Sequence, residues 1–107
     1  MSFFHTITDK STTSELIHTG EVYLCGMHIG LDGINNPSIT VFDGTDDTGI
    51  EIVPLTEYDA GALGLQGFET NYPILCETGL YIKIACAGDV YVITKYRVKD
   101  QIQKLPW

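Results

Sequence analysis

Glu21-Val-Tyr-Leu-Cys-Gly-Met-His-Ile-Gly-Leu31 is the stretch on which the fold turns. Read with a period of two, it sets Tyr23, Cys25, Met27, Ile29 and Leu31 on one face and Val22, Leu24, Gly26, His28 and Gly30 on the other. Both faces are apolar at its start, as in a central strand covered on each side. Asp32-Gly33 ends the run, and Asn35-Asn36-Pro37 marks a turn.

Short extended runs continue outward from it in both directions. Phe3 to Thr8 and Ser14 to Thr19 precede it. Ser38 to Phe42 follows, with Ile39 and Val41 on one side and Thr40 and Phe42 on the other. A loop from Asp43 to Gly49 then leads into Ile50 to Leu55, which predicts a hairpin. Pro54 cannot donate to a ladder, so its strand belongs at a sheet edge or stops there. Leu63 to Thr70 is glycine-rich and reads as bulged, and Pro73 to Glu77 reads as a short run. Leu80 to Cys86 and Asp89 to Val98 predict the clearest hairpin, joined at Ala87-Gly88-Asp89. In its second strand Val90, Val92, Thr94, Tyr96 and Val98 form the core face, and Tyr91, Ile93, Lys95 and Arg97 the outer one.

Eight or nine strands at this spacing, with almost no helical period, predict an all-β antiparallel sandwich or jelly roll. The domain covers residues 1–98, and 99–107 form an irregular C-terminal arm. Composition agrees: isoleucine, valine and threonine supply 30 of 107 residues against four alanines, and branching at Cβ suits a pleated surface. No apolar run reaches the roughly 20 residues of a membrane span. The sequence also predicts no secretory leader, for want of a basic region followed by an apolar one.

The net charge of −8 opposes nucleic-acid or anionic-lipid binding by a general electrostatic route. Its distribution is uneven. Residues 1–82 hold twelve acids and one base, Lys10, whereas residues 83–107 hold five bases and two acids. That asymmetry is either a solvated strand or head-to-tail complementarity between subunits. Cys25, Cys76 and Cys86 each sit in an apolar stretch and read as buried free thiols of a reducing compartment.

Catalytic chemistry finds little support. No G-x-S-x-G elbow occurs, and His5, His18 and His28 form no pair at ligand spacing. Gly61, Gly64 and Gly67 lack the strand-to-helix context of a phosphate cradle. Asp43, Asp46, Asp47 and Glu51 could hold Ca²⁺, but such loops also arise for conformational reasons, and the ordinary hairpin is the preferred reading. Tyr58, Phe68, Tyr72, Tyr81 and Tyr91 would make a sugar platform if they converged; core filling is the alternative. No enzyme activity, metal or cofactor is expected.

Three segments together resemble a family. Gly20-Glu-Val-Tyr-Leu-Cys-Gly-Met-His-Ile, Ser38-Ile-Thr-Val-Phe-Asp-Gly-Thr-Asp-Asp-Thr-Gly49 and Gly79-Leu-Tyr-Ile-Lys-Ile-Ala-Cys-Ala-Gly-Asp-Val-Tyr-Val-Ile-Thr-Lys-Tyr-Arg97 are similar to small β-proteins of tailed bacteriophages. In those proteins a "tLYDgTsatGt.I" segment precedes a "GLyvvtaG.aDvtViYR" ending. The resemblance implies a non-enzymatic virion component, a capsid decoration (cement) protein of jelly-roll type. It would be made in the host cytoplasm and bound as a dimer or trimer on the outside of the shell. The alternative is a glycan- or receptor-binding module of a tail or fibre.

A small β-module without a catalytic set works through its surface. The expected partners are therefore further copies of the chain, a trimer before a dimer, and a major capsid protein. The candidate interface comprises Val22 and Leu24, Tyr91, Ile93, Lys95 and Arg97, and from the arm Lys99, Lys104, Leu105 and Trp107. Trp107 reads either as an anchor in a partner's pocket or as a residue folded back on its own barrel.

Overall fold

The computed structural model describes residues 7–59, 61 and 66–98. Eight strands occur in them: β1 (Ile7–Ser11), β2 (Glu15–Thr19), β3 (Val22–Leu31), β4 (Ser38–Asp43), β5 (Ile50–Glu57), β6 (Gln66–Cys76), β7 (Gly79–Ala85) and β8 (Val90–Arg97). They form two antiparallel four-stranded sheets, sheet A in the order β1-β8-β3-β6 and sheet B in the order β2-β7-β4-β5. This is the order of a jelly roll. It arises when one long hairpin, pairing β1 with β8, β2 with β7, β3 with β6 and β4 with β5, is rolled across itself. The fold is therefore the all-β sandwich that the alternation predicts. The expected arm, 99–107, and the start of the first expected strand lie outside the described residues.

The core lies between the sheets. Val22, Leu24, Met27, Ile29, Ile39, Val41, Cys76, Leu80, Ile82 and Val92 are each at most 2% exposed. Burying a side chain of this size is worth roughly 1.5–3 kcal/mol. A bulge in β3 makes the arrangement possible. Leu24 faces Tyr96 of β8, but Gly26, two positions on, faces Lys95, so Cys25 is an extra residue. One extra residue reverses the alternation. Val22 and Leu24 before the bulge, and Met27 and Ile29 after it, consequently all point into the core.

Three sequence expectations change here. The strict two-face reading of β3 fails at Cys25. The expected β7–β8 hairpin does not form, because β7 belongs to sheet B and β8 to sheet A. Their joining residues carry the chain across the sandwich. Among consecutive strands, only β4 and β5 pair as a hairpin. Finally, β6 runs through Pro73 as one strand, with a large bulge. Leu24 faces Ile74 while Gly26 faces Glu69, so residues 70–73 stand opposite Cys25 alone. Glycine is required at the start of β6, where Gly67 has φ +137° and an added Cβ would run into the Met27 carbonyl.

The turns are held by carboxylates. Asp32 accepts the backbone N–H groups of Ile34 and Asn35, each at 2.8 Å, and the Asn35 side-chain amide at 2.8 Å. The Asn35 and Ile34 donors hold its carboxyl down to about 2. Asp43 accepts from the backbone of Glu77, Thr78 and Gly79 at 3.0, 2.9 and 3.3 Å. It thereby pins the end of β4 to the β6–β7 turn.

Candidate interaction surfaces

Sheet A presents the first surface. With the core side of β8 taken by Val90, Val92 and Thr94, Tyr91, Ile93, Lys95 and Arg97 fall on the outer side, as expected. Tyr91 stands opposite Gly30 of β3, and a Cβ at Gly30 would fall inside its ring. Gly30 thus lets an aromatic ring lie flat across the sheet. Lys10 on β1 brings its ammonium 4.9 Å from the Tyr91 ring centroid, within cation–π range. Further along, Lys95 hydrogen-bonds Glu69 of β6, and His28 Nε2 lies 3.4 Å from the same carboxylate. Lys95 and then His28 hold the Glu69 carboxyl below its ordinary range. Of the four bases among the described residues, Lys10, Lys95 and Arg97 share this sheet and Lys83 lies on the other.

Val22 and Leu24, expected on an outer apolar face, are fully buried. The bulge at Cys25 turns them inward, so no partner can reach them. Lys99, Lys104, Leu105 and Trp107 lie outside the described residues.

The second surface was not expected from the sequence. Strands β5 and β6 are the sheet edges on one flank of the sandwich. Ile50 is 71% exposed, Leu55 66%, Tyr72 85% and Leu75 42%. Pro54 sits on this edge, as its missing N–H requires, and the 70–73 bulge carries Tyr72 on the other edge strand. Acids border the β5 side: Asp46, Glu51, Glu57 and Asp59 are exposed. Asp47 pairs with Lys83 at 3.2 Å. The only signal in the sequence was the pair Pro54-Leu55, an apolar residue beside an edge marker.

The opposite flank, between β1 and β2, holds a polar cluster beside the exposed Leu16. Ser11 Oγ donates to Glu15 Oε1 at 2.9 Å across the two sheets. Hydrogen bonding to Asp9, then burial, raises the Glu15 carboxyl above its ordinary value, while Ser11 acts in the other direction. Asp9 stands opposite Thr94 on β8, and Asp9 Oδ2 and Thr94 Oγ1 are both buried without a protein partner. Tyr96 closes the group against the His18 ring, with centroids 6.4 Å apart. Burial, then the charges of Asp9 and Glu15, push its phenol up.

The remaining candidates disperse. Asp43 is occupied by the β6–β7 turn, Asp46 accepts from the backbone and hydroxyl of Thr48, and Asp47 holds Lys83. Among the described residues no group of three or more His, Cys, Asp or Glu side chains is placed to hold a metal ion. The five aromatics do not converge. Tyr58 and Phe68 pack on the core, Tyr91 lies outside sheet A, Tyr81 lies outside sheet B with its ring 6.3 Å from Phe42, and Tyr72 stands on the bulge. The three cysteines are unpaired. Cys76 is buried, with its thiol pushed up to about 12 by burial and then by Asp43; Cys25 and Cys86 are only half-buried. No helix among the described residues is long and apolar enough to cross a membrane.

Compared with protein-family models, with curated proteins and with solved structures, the chain matches none.

Proposed function

We propose that this chain is a structural, non-enzymatic virion protein that assembles with copies of itself and binds the outside of a larger protein shell, as a capsid decoration protein does. The observation that carries the reading is the β5/β6 flank. A sandwich whose interior is already closed by fully buried side chains leaves Ile50, Leu55, Tyr72 and Leu75 in solvent on two edge strands. Large apolar side chains left exposed on sheet edges mark surfaces that become covered on association. The jelly-roll order of the strands and the resemblance of segments 20–29, 38–49 and 79–97 to phage β-proteins support the same reading, in which the partner is a major capsid protein.

Sedimentation velocity at micromolar concentration, followed by pelleting with empty heads of the encoding phage, tests it. A trimer that pellets with the heads is expected. A monomer that stays in the supernatant would overturn it.

A further inference from the structure

We propose that the β1/β2 flank holds a cation site, in which Ca²⁺ is taken between Asp9, Glu15, Ser11 and Thr94 and joins one sheet to the other. The site is independent of self-assembly, because it lies on the flank opposite β5 and β6.

The strands bring four oxygen-bearing side chains to one place. Asp9 of β1 stands opposite Thr94 of β8, and Ser11 opposite Val92. Directly opposed residues keep their Cβ atoms about 5 Å apart. Val92 belongs to the core, and alternation places Asp9, Ser11 and Thr94 on that same inner side. Glu15 arrives from β2 in the other sheet, where its Oε1 accepts from Ser11 Oγ at 2.9 Å. Asp9 hydrogen-bonds the same carboxyl.

Two of these oxygens are left unsatisfied. Thr94 is 0% exposed, and its Oγ1 has no protein partner; Asp9 Oδ2 on the facing strand is buried in the same condition. Such atoms are costly, and a bound water or ion is the usual reason they persist. A water would meet both oxygens but leave the two carboxylates repelling each other once they no longer share a proton. A divalent cation meets the oxygens and neutralises the pair. The groups that act on Glu15 are a second carboxylate and a hydroxyl, so nothing within the cluster balances that charge.

The donors select the ion. Carboxylate and hydroxyl oxygens are hard ligands, without the sulfur or imidazole that zinc favours. Ca²⁺ accepts irregular oxygen shells, whereas Mg²⁺ demands a near-ideal octahedron. Donors from three strands in two sheets suit the first. Asp9 and Glu15 are only half-buried, which lets water complete the shell. Two carboxylates and two hydroxyls fall short of a centre with three or more acids, so the affinity belongs in the weak range, about 10⁻⁴–10⁻³ M.

Thermal unfolding of the full chain, stripped with chelator and titrated with CaCl₂ at neutral pH, tests the site against NaCl of equal ionic strength. A saturable rise of about 5 °C is expected once Ca²⁺ reaches tenfold the dissociation constant. D9N and E15Q each remove one charge and are expected to lose most of that rise. E77Q, at an exposed acid of the β6–β7 turn, should keep it. T94V preserves the shape of the site and takes away only the unpartnered hydroxyl, so it tests the proposal even where a carboxylate variant misfolds. It should melt no lower than the native chain in chelator, yet need more Ca²⁺ for half the rise. A native chain that responds to CaCl₂ no more than to NaCl overturns the proposal. Equal loss in E77Q and E15Q does so too, by showing general screening of an acidic protein. A T94V titration identical to the native one also overturns it, and assigns the unsatisfied oxygens to water.

Discussion

Along the β1/β2 flank, Ser11, Asp9 and Glu15 tie the two sheets to each other; along the β5/β6 flank, Ile50, Leu55, Tyr72 and Leu75 point into solvent. Both flanks are built from edge strands of the same two sheets, so backbone geometry does not explain the difference. The side chains do. On the first flank, hydrogen bonds from Ser11 and Asp9 to Glu15 join the edges of the two sheets. The apolar flank has nothing left to cover within one molecule, because the interior is filled from the centres of both sheets. Its backbone is also interrupted, by Pro54 on one edge and by the 70–73 bulge on the other. Such interruptions discourage indiscriminate edge-to-edge pairing while leaving side-chain contact open.

Four perturbations sharpen or break this contrast. The largest effect is expected from L24A, which empties a site between the flanks. It should lower unfolding stability by about 2–5 kcal/mol, measured by denaturant titration; a cost as small as that of a surface change would mean the core is not where the register puts it. Next comes D43A, which removes the acceptor pinning the β4–β5 hairpin to the β6–β7 turn. A loss of about 1–3 kcal/mol is expected, with faster amide exchange at Glu77, Thr78 and Gly79.

On the polar flank, E15Q should have a smaller effect of opposite sign at neutral pH. Glu15 holds its proton more tightly folded than unfolded. Its favourable contribution is therefore complete below the ordinary glutamate value, about 4.3, and is lost as pH rises through the raised one. Glutamine can still accept from Ser11 and can donate to Asp9 at every pH. Asp32 and Glu69, held below their ordinary values, add the opposite trend to both proteins, so the readout is the difference: the melting temperature of E15Q relative to the native chain should rise as pH rises through the raised Glu15 value. A difference that does not change with pH would separate Asp9 from Glu15. The smallest stability change belongs to the apolar flank. L55S is expected to shift monomer stability by no more than about 0.5 kcal/mol, yet to weaken assembly in the ultracentrifuge. A large loss of monomer stability would place Leu55 in the core.

Much of the architecture was legible in the alternation of single strands. The core face of β8, from Val90 to Thr94, the edge position of Pro54 and the β4–β5 hairpin all follow from local pattern. What escaped is non-local or one residue wide. The bulge at Cys25 leaves no mark on composition, yet it moves Val22 and Leu24 from a presumed outer face to the core. Ala87-Gly88-Asp89 has the residues of a tight turn, and the same residues serve a crossing between sheets equally well. The apolar flank could not be read from β5 alone, because exposure depends on which strands find a neighbour. The basic outer side of β8 was visible, whereas the edge position of Glu51 and Glu57 emerged only when strand order set β5 at a margin.

One consequence of the strand order concerns the timing of folding. β8 is the last described strand along the chain, yet it lies inside sheet A, with β1 on one side and β3 on the other. Until the ribosome has released residues up to Arg97, β1 has no neighbour in its sheet and half of the sandwich cannot zip shut. Folding of this sandwich must therefore wait for β8, and its rate is set by the slow search that brings β1 and β8 together.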